Sequence, residues 1–368
     1  MTGLLSYNLS TVYLILYFFS TVYIVNTGEK RYSKTIESQQ GRISVETISG
    51  LTNWRLTVRR EKNGVTILRA VTCDENAALP DEIFGRPVTC LSDRALAHGA
   101  KPAEGEEVTV LGGAEGADWD NRNITALTLP RSLQSIGDYA FMNLRRMETL
   151  RFFDGVRAFG SASFMNCRLF SRVELTRVSH EQGPALASLV YSLPQELDVT
   201  IHNVDGATLR LIFPEYFENY TENSAAHHFE LKIVGGGYAY HGVFRTKHLA
   251  VSDYDALWRG YLAGEHEEES ALRLAWYRLR WPAELSDRAR EQYASYLRLH
   301  LRKALCFALH ERDAHGLRLL LEPGVPDTDA LEFALNESRA LRFTEATALL
   351  LEQRRKTPGT GKTKKFEL

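Results

Sequence analysis

A 23-residue repeat restricts the fold of this chain more than any other feature of its sequence. Adding 23 to a position in the middle of the chain reaches an identical or similar residue several times without a gap. The matching positions are Leu127/Leu150/Val173, Gly137/Gly160, Phe141/Phe164, Met142/Met165 and Asn143/Asn166. A single unit of this size cannot bury its apolar side alone, so neighbouring units must stack. The period therefore predicts parallel strands at 124–129, 147–152 and 170–175, each followed by a turn that buries an aromatic side chain.

Three signals before and between these units carry further predictions. A weaker copy of the unit lies at 79–96, and the segment 99–122, which is rich in glycine and acidic residues, predicts a loop that interrupts the array. The glycine before each corner, Gly137 or Gly160, predicts a tight bend.

A hairpin signal lies upstream of the repeats. Apolar and polar residues alternate over 54–71 on both sides of Asn63-Gly64. This dipeptide predicts a type I′ turn, whose two central residues need positive φ.

The corner I-G-x-x-A-F-x-N-[LC], which starts at Ile136, resembles that of the BspA-type leucine-rich repeats of bacteria and some protists. The resemblance covers about residues 65–176. It implies a curved solenoid that is used for binding, and it implies no catalytic residues. The period is lost over 177–250, which we interpret as the degenerate end of the solenoid, capping its exposed edge.

The last third of the chain has helical periodicity. The predicted helices cover 252–258, 270–280, 286–307, 314–321, 328–338 and 343–355. Ala304–Leu309 and residues 330–335 share an AL-x-x-AL pattern at an offset of 26, and Leu-Leu-Leu-Glu at 319–322 recurs 30 residues later. This pairing is similar to ankyrin repeats, although the T-P-L-H turn is missing. The predicted fold class is therefore α+β: a short leucine-rich-repeat solenoid followed by an α-helical, ankyrin-like module.

Five segments follow from these patterns. Residues 1–28 lack any charge, and their apolar part, 4–26, is long enough to cross a bilayer. This segment is either a membrane anchor, an incidental extension or a buried element; the basic residues after it would keep the rest of the chain in the cytoplasm. The other predicted segments are a linker at 29–50, the hairpin and solenoid at 51–250, the helical module at 251–355 and a flexible basic tail at 356–368.

Composition and motifs exclude several functions. The formal net charge of −2 argues against a protein that coats nucleic acid, and four cysteines without metal spacing fit a reducing compartment. Residues 358–363 end like a phosphate-binding loop but lack its first glycine and its following helix. We expect no cofactor, no metal and no catalytic residue. The histidines lack a metal-binding pattern and are expected to be structural or exposed: His227, His228, His241 and His248 with Glu230 nearby, and His310 and His315.

A surface is the remaining candidate for function. If the repeat strands alternate, one face of their sheet presents side chains to a partner peptide or acidic loop. The predicted binding residues are Thr128, Thr149, Arg151, Phe153, Arg172 and Glu174.

The sequence thus predicts a non-catalytic, bacterial-type interaction or scaffold protein with a protein partner, located in the cytoplasm. Two alternatives remain open at this point: a membrane-tethered, adhesin-like surface protein, and an enzyme whose site lies within 177–280.

Overall fold

The computed structural model describes residues 32–36, 43–113, 116, 118–223, 228–321 and 328–356, without the side chains of 32–45 and 220–230. The predictions for residues 1–28, for His227 and for the tail after Lys356 lie outside this description. The strands are β1 Tyr32–Ile36, β2 Ile43–Ser49, β3 Trp54–Glu61, β4 Gly64–Thr72, β5 Asn76–Ala78, β6 Glu82–Ile83, β7 Arg86–Leu91, β8 Glu106–Leu111, β9 Ala126–Thr128, β10 Ser135–Ile136, β11 Thr149–Phe153, β12 Arg172–Thr176, β13 Leu197–His202, β14 Thr208–Phe213, β15 Phe217–Asn223, β16 His228–Val234, β17 Phe244–Arg245 and β18 His248–Leu249.

Helices dominate the second half of the chain, giving an α+β fold. They are α1 Ala185–Tyr191, α2 Tyr238–His241, α3 Val251–Ala256, α4 Trp258–Ala263, α5 Glu268–Arg280, α6 Asp287–Leu299, α7 Leu301–His310, α8 Ala314–Leu321, α9 Thr328–Ala340 and α10 Thr344–Lys356, with a 3-10 turn at Asn121–Asn123. Among the residues described, no helix has both the length and the apolar character needed to cross a membrane.

The predicted parallel strands are confirmed. They lie in a six-stranded sheet with the order β14-β13-β12-β11-β9-β5. Ala126 pairs with Thr149 and Thr149 with Arg172, so the register of the sheet repeats the 23-residue period. We call this sheet the repeat sheet. β13 continues the parallel array, and β14 ends it as an antiparallel strand.

The corners between these strands stack through backbone hydrogen bonds. The N–H groups of Tyr139, Phe141 and Asn143 donate to carbonyl oxygens of the next corner at 3.0, 3.0 and 2.9 Å. The weaker copy joins the same stack, since Arg94 N–H donates to the Asp138 carbonyl at 2.8 Å. Phe141 and Phe164 are buried with ring centroids 5.3 Å apart. As predicted, the turns bury aromatic side chains.

The prediction for the corner glycines was wrong in its physical reason. Neither Gly137 nor Gly160 has a positive φ; the left-handed residues are Tyr139, Ala162 and the two asparagines Asn143 and Asn166. A Cβ on Gly160 would lie 2.3 Å from the carbonyl carbon of Gly137. These glycines are therefore required because two corners approach closely, whereas other residues make the bend.

The predicted hairpin is present, but its turn differs. Glu61 pairs with Gly64, so Lys62 and Asn63 form the turn, and neither of them nor Gly64 has a positive φ. The turn is therefore not of type I′. Gly64 is instead placed where a Cβ would lie 2.7 Å from the Pro87 carbonyl oxygen of β7.

Two segments predicted as irregular contain strands. The sequence-predicted linker 29–50 includes β1 and β2, and the predicted loop 99–122 includes β8, which lies between β2 and β3 in a second, eight-stranded sheet. Val108 and Val110 alternate with polar residues and are buried. That alternation over 107–110 favours a strand although the surrounding sequence is rich in glycine.

The helical region packs in antiparallel pairs. α7 and α8, and likewise α9 and α10, are joined by turns in which Arg312 and Arg342 have positive φ. Asp313 N–H donates to the Ala308 carbonyl, and Phe343 N–H donates to the Ser338 carbonyl, each at 2.9 Å. Equivalent positions in the two turns are 30 residues apart, so α9 follows α7, and α10 follows α8, at an offset of 30. The AL-x-x-AL pattern suggested an offset of 26 between α7 and α9. His300 separates α6 from α7, where the sequence predicts one helix.

A buried ion pair connects α3 to α5. The Arg278 guanidinium donates to both carboxylate oxygens of Asp255, at 2.7 and 2.9 Å, and Tyr293 donates to the same carboxylate at 2.9 Å. Arg278 also donates to two backbone carbonyls that follow α5. Because every charge is hydrogen-bonded, the pair is tolerated in the interior, and it holds three helices in one arrangement.

Candidate functional site

The outward side of the repeat sheet carries the predicted binding residues, and we call this side the outer face. Leu127, Leu150 and Val173 are fully buried on the opposite side. The strands alternate as predicted, so Thr128, Arg151 and Glu174 form one straight row across three strands. Phe153 and Thr176 begin a second, half-buried row. Rows of this kind place side chains of successive repeats at the regular spacing of neighbouring strands.

Thr149 departs from this pattern because it is buried, with 4% of its surface exposed. The register places Ala126 on one side of it and Arg172 on the other, and a short side chain between two neighbours has little access to water. Thr149 is therefore not available for contact with a partner. The predicted residues that remain accessible are Thr128, Arg151, Phe153, Arg172 and Glu174.

The arginines of the outer face are paired with carboxylates of neighbouring repeats. Arg151 donates to Glu174 at 3.0 Å, and Arg172 donates to Glu148 at 2.6 Å. All four side chains remain 39–54% exposed, so these pairs contribute little to stability. They do neutralise the outer face locally. Glu148 was not among the predicted residues, although its spacing of 24 from Arg172, close to the period, is visible in the sequence.

One end of the outer face is closed by the helical region. Arg210 of β14 donates to both oxygens of Asp198, at 2.9 and 2.6 Å, and its guanidinium lies 3.9 Å from the ring centroid of Tyr277 on α5. The Trp281 ring lies 5.5 Å from the same guanidinium, and Glu311 lies at 3.8 Å. Burial lowers the pKa of Arg210, but the hydrogen bond and charge of Asp198 outweigh it, so the pKa is raised overall.

The free edge of β14 is also covered. Ile212 N–H donates to the Tyr254 hydroxyl at 3.2 Å, and that hydroxyl donates back to the Ile212 carbonyl at 2.6 Å. One buried side chain of α3 thus satisfies both backbone polar groups of Ile212, which would otherwise be open to pairing with another strand. The outer face is consequently accessible over β9, β11 and β12, and covered at β14.

The histidines and cysteines have mixed environments. His241 is buried, its Nδ1 lies 3.1 Å from the Val190 carbonyl oxygen and its Nε2 lies 2.8 Å from the Pro214 carbonyl oxygen. Burial lowers its pKa, against the influence of these carbonyls. Burial likewise raises the pKa of Cys167 to about 12, so this thiol is a core group. His248 is exposed, and no histidine among the described part of 227–248 shares a metal cluster with another.

The structure does bring together one group that sequence reasoning did not identify. Cys306 and His310 on α7 and Glu337 on α9 have ligand atoms within 4.8 Å of one another. The signal available in the sequence was the spacing of four between the cysteine and the histidine, which places both on one helix face. The glutamate comes from another helix and has no local signal.

Residues of 177–280 help to line a cavity of about 10 Å³, together with Asp154. One oxygen of the buried Asp154 carboxylate has no hydrogen-bond partner, and burial raises the pKa of this group. A space of that size is comparable to a single water molecule, so this cavity does not support the enzyme alternative. A larger open cleft of about 350 Å³ lies near Asn53, Asp74 and Glu75, beside the edge strand β5.

A match to a family model supports the repeat assignment. Residues 118–184 match the family model described as BspA type leucine-rich repeat region, so this part of the chain is similar to repeats of that type. The leucine-rich repeat protein TpLRR of T. pallidum is a similar solved structure, with 18% identity and a TM-score of 0.24 over 33% of this chain. The match spans half of the length of that protein. No curated protein matches the sequence significantly.

Proposed function

We propose that this protein is a non-catalytic interaction protein that binds a protein partner on the outer face of its repeat sheet. The observation that carries this proposal is the register of β9, β11 and β12, which aligns exposed side chains of successive repeats into straight rows. Leucine-rich repeats commonly bind proteins through such arrays, and the repeat type supports the same role here. The finer description of the molecule as a solenoid followed by an ankyrin-like module is part of this proposal.

The charges of the outer face define the class of partner. Each exposed arginine, Arg151 or Arg172, already faces a carboxylate, so the face has alternating charge and no excess of positive charge. A strongly acidic segment would leave Glu148 and Glu174 opposed by like charges. The face therefore suits a polypeptide segment that presents both acidic and basic side chains and an apolar contact for Phe153.

A charge swap tests the proposal without removing the ion pair. In the double variant R151E/E174R the pair is retained in reverse order, so stability should change little while the charge pattern is inverted. We expect recovery of the captured partner to fall at least tenfold in quantitative affinity capture with the full chain. The reversal R151E/R172E, which also places like charges together, should abolish recovery. The control R288E/R290E alters two exposed arginines on α6.

Crosslinking locates the contact independently. A photo-reactive phenylalanine analogue at position 153 should crosslink to the same partner, whereas the analogue at the exposed Leu299 of α6 should not. Unchanged capture by R151E/E174R, combined with crosslinking only from position 299, would place the interaction elsewhere and refute the proposal.

We propose a cytoplasmic location, and attachment to a membrane through residues 4–26 as the alternative that the uncharged N-terminal sequence favours. Cell fractionation of the full chain, compared with a chain that starts at residue 29, tests this. Sedimentation of the full chain alone with the membranes would establish attachment.

A further inference from the structure

The group formed by Cys306, His310 and Glu337 has the composition of a transition-metal site. Cys306 and His310 lie one turn apart on α7, and Glu337 lies on α9, which packs against α7. The His310 Nε2 is already 3.0 Å from a Glu337 carboxylate oxygen. A thiolate, an imidazole and a carboxylate therefore converge from two helices.

The identity of these ligands selects the ion. Hard cations such as Mg²⁺ and Ca²⁺ prefer several oxygen ligands, of which this group has one residue. Zn²⁺ binds sulfur, nitrogen and carboxylate oxygen, usually as a tetrahedron. We propose that Cys306, His310 and Glu337 bind one zinc ion, with a water molecule as the fourth ligand.

The geometry requires only a small adjustment. In a tetrahedral zinc site with bonds of about 2.0–2.3 Å, ligand atoms are roughly 3.3–3.6 Å apart. The three ligand atoms lie within 4.8 Å of one another, so the Cys306 sulfur needs to approach the other two ligand atoms by at most about 1.5 Å. Zinc would take the place of the direct contact between His310 Nε2 and the Glu337 carboxylate.

Burial at the site is consistent with a three-ligand ion. Glu337 and Cys306 are half-buried, while the His310 side chain is 55% exposed. The exposed side admits the ion and leaves room for a water ligand. The guanidinium of Arg302, on the same helix as Cys306, stacks on the Phe333 ring at 4.0 Å from its centroid. The positive charge of Arg302 is therefore placed against this ring.

Binding must release the thiol proton, which makes the affinity depend on pH. Burial raises the pKa of Cys306, the charge of Glu337 adds to this effect, and Arg302 opposes it. Zinc binding should therefore weaken as the pH falls, because the thiolate and the neutral imidazole are the forms that bind the ion.

The ion would join two helix pairs. Cys306 and His310 belong to the α7–α8 pair and Glu337 to the α9–α10 pair, so a metal bound to all three holds the pairs together. A ligand that binds only the folded state raises stability by mass action. Zinc should therefore raise the thermal unfolding midpoint of the full chain.

The test is a titration of the reduced, metal-free full chain with Zn²⁺ by calorimetry and with Co²⁺ by absorption. We expect one equivalent to bind and Co²⁺ to produce a thiolate charge-transfer band. C306S should abolish the band, and H310A and E337Q should each weaken Zn²⁺ binding at least tenfold. The matched controls are C90S and H315A. Cys90 is a half-buried cysteine of β7, and His315 is an exposed histidine at the start of α8, just after the turn that follows His310.

Two measurements of thermal unfolding distinguish a loss of zinc binding from a loss of folding in the variants. The variants should unfold at the same temperature as the unaltered chain when a chelator is present, and Zn²⁺ should raise the midpoint only where all three ligands remain. Absence of a one-to-one complex in the unaltered chain overturns the proposal. So does binding that C306S or H310A leaves unchanged.

Discussion

At the scale of single residues, the repeat corner depends on the backbone conformation of an asparagine. Asn143 has φ 68° and Asn166 has φ 64°. The Asn166 amide donates to the Asn143 side-chain oxygen at 2.8 Å, which continues the stack of corners through side chains. Asparagine adopts the left-handed conformation more readily than other residues with a Cβ, which explains its recurrence in the motif.

Substitution at Asn143 separates the two contributions. N143G keeps the left-handed conformation and removes the side-chain hydrogen bond, whereas N143A removes the bond and also strains the backbone. We expect N143A to lower the free energy of unfolding by about 1 kcal/mol more than N143G does. Urea denaturation of the three proteins measures this difference. Equal losses in the two variants would show that the backbone conformation has no part in the preference.

At the scale of elements, close contact between corners sets the spacing of the repeats. Gly160 lies against Gly137 of the preceding corner, and Gly137 lies against the backbone of Asp93. The recurrence of glycine was visible in the sequence, but its reason was not, because a close approach between two segments requires knowledge of how they stack.

A pair of glycine substitutions tests this element. G160A should destabilise the fold by about 1–3 kcal/mol because its Cβ meets backbone atoms that cannot rotate away. G155A is the matched control: the nearest atom to its Cβ is the Leu133 carbonyl oxygen at 3.5 Å, and its φ is not positive. It should be neutral or stabilising by less than about 1 kcal/mol. Similar losses for both variants in chemical denaturation would contradict the proposed role of close approach.

The helix pairs show where periodicity misleads. The AL-x-x-AL pattern suggests an offset of 26, yet the turns at Arg312 and Arg342 set it to 30. Alanine and leucine recur every three or four residues along any buried helix face, so a shift by one helical turn preserves the pattern. Only the turn hydrogen bonds distinguish between the two registers.

At the scale of the whole molecule, Arg210 links the repeat sheet to the helical region. It combines a two-point hydrogen bond to Asp198 with a stacking contact on Tyr277, and its side chain is 21% exposed. Lysine keeps the charge but provides neither the planar fork nor the stacking surface. The contact therefore depends on the shape of the guanidinium as well as on its charge.

R210K should therefore lower the free energy of unfolding by about 1–3 kcal/mol. Tryptophan fluorescence during urea denaturation is a suitable measurement because Trp281 lies beside Arg210. The control R245K alters an arginine that is 75% exposed and paired with Asp253, and it should change stability by less than about 0.5 kcal/mol. A loss in R210K no greater than in R245K would refute the linking role.

The sequence by itself determined the parallel strands and their 23-residue register, the aromatic corners and most of the helices. Each of these follows from local periodicity, which records which side chains must leave water. The tertiary structure decided the stacking of Arg210 on Tyr277, the hydrogen bonds of Tyr254 to Ile212 on β14, and the meeting of Cys306 and His310 with Glu337. Those contacts join residues more than 20 positions apart, and their distances depend on how whole surfaces pack, which no local pattern encodes.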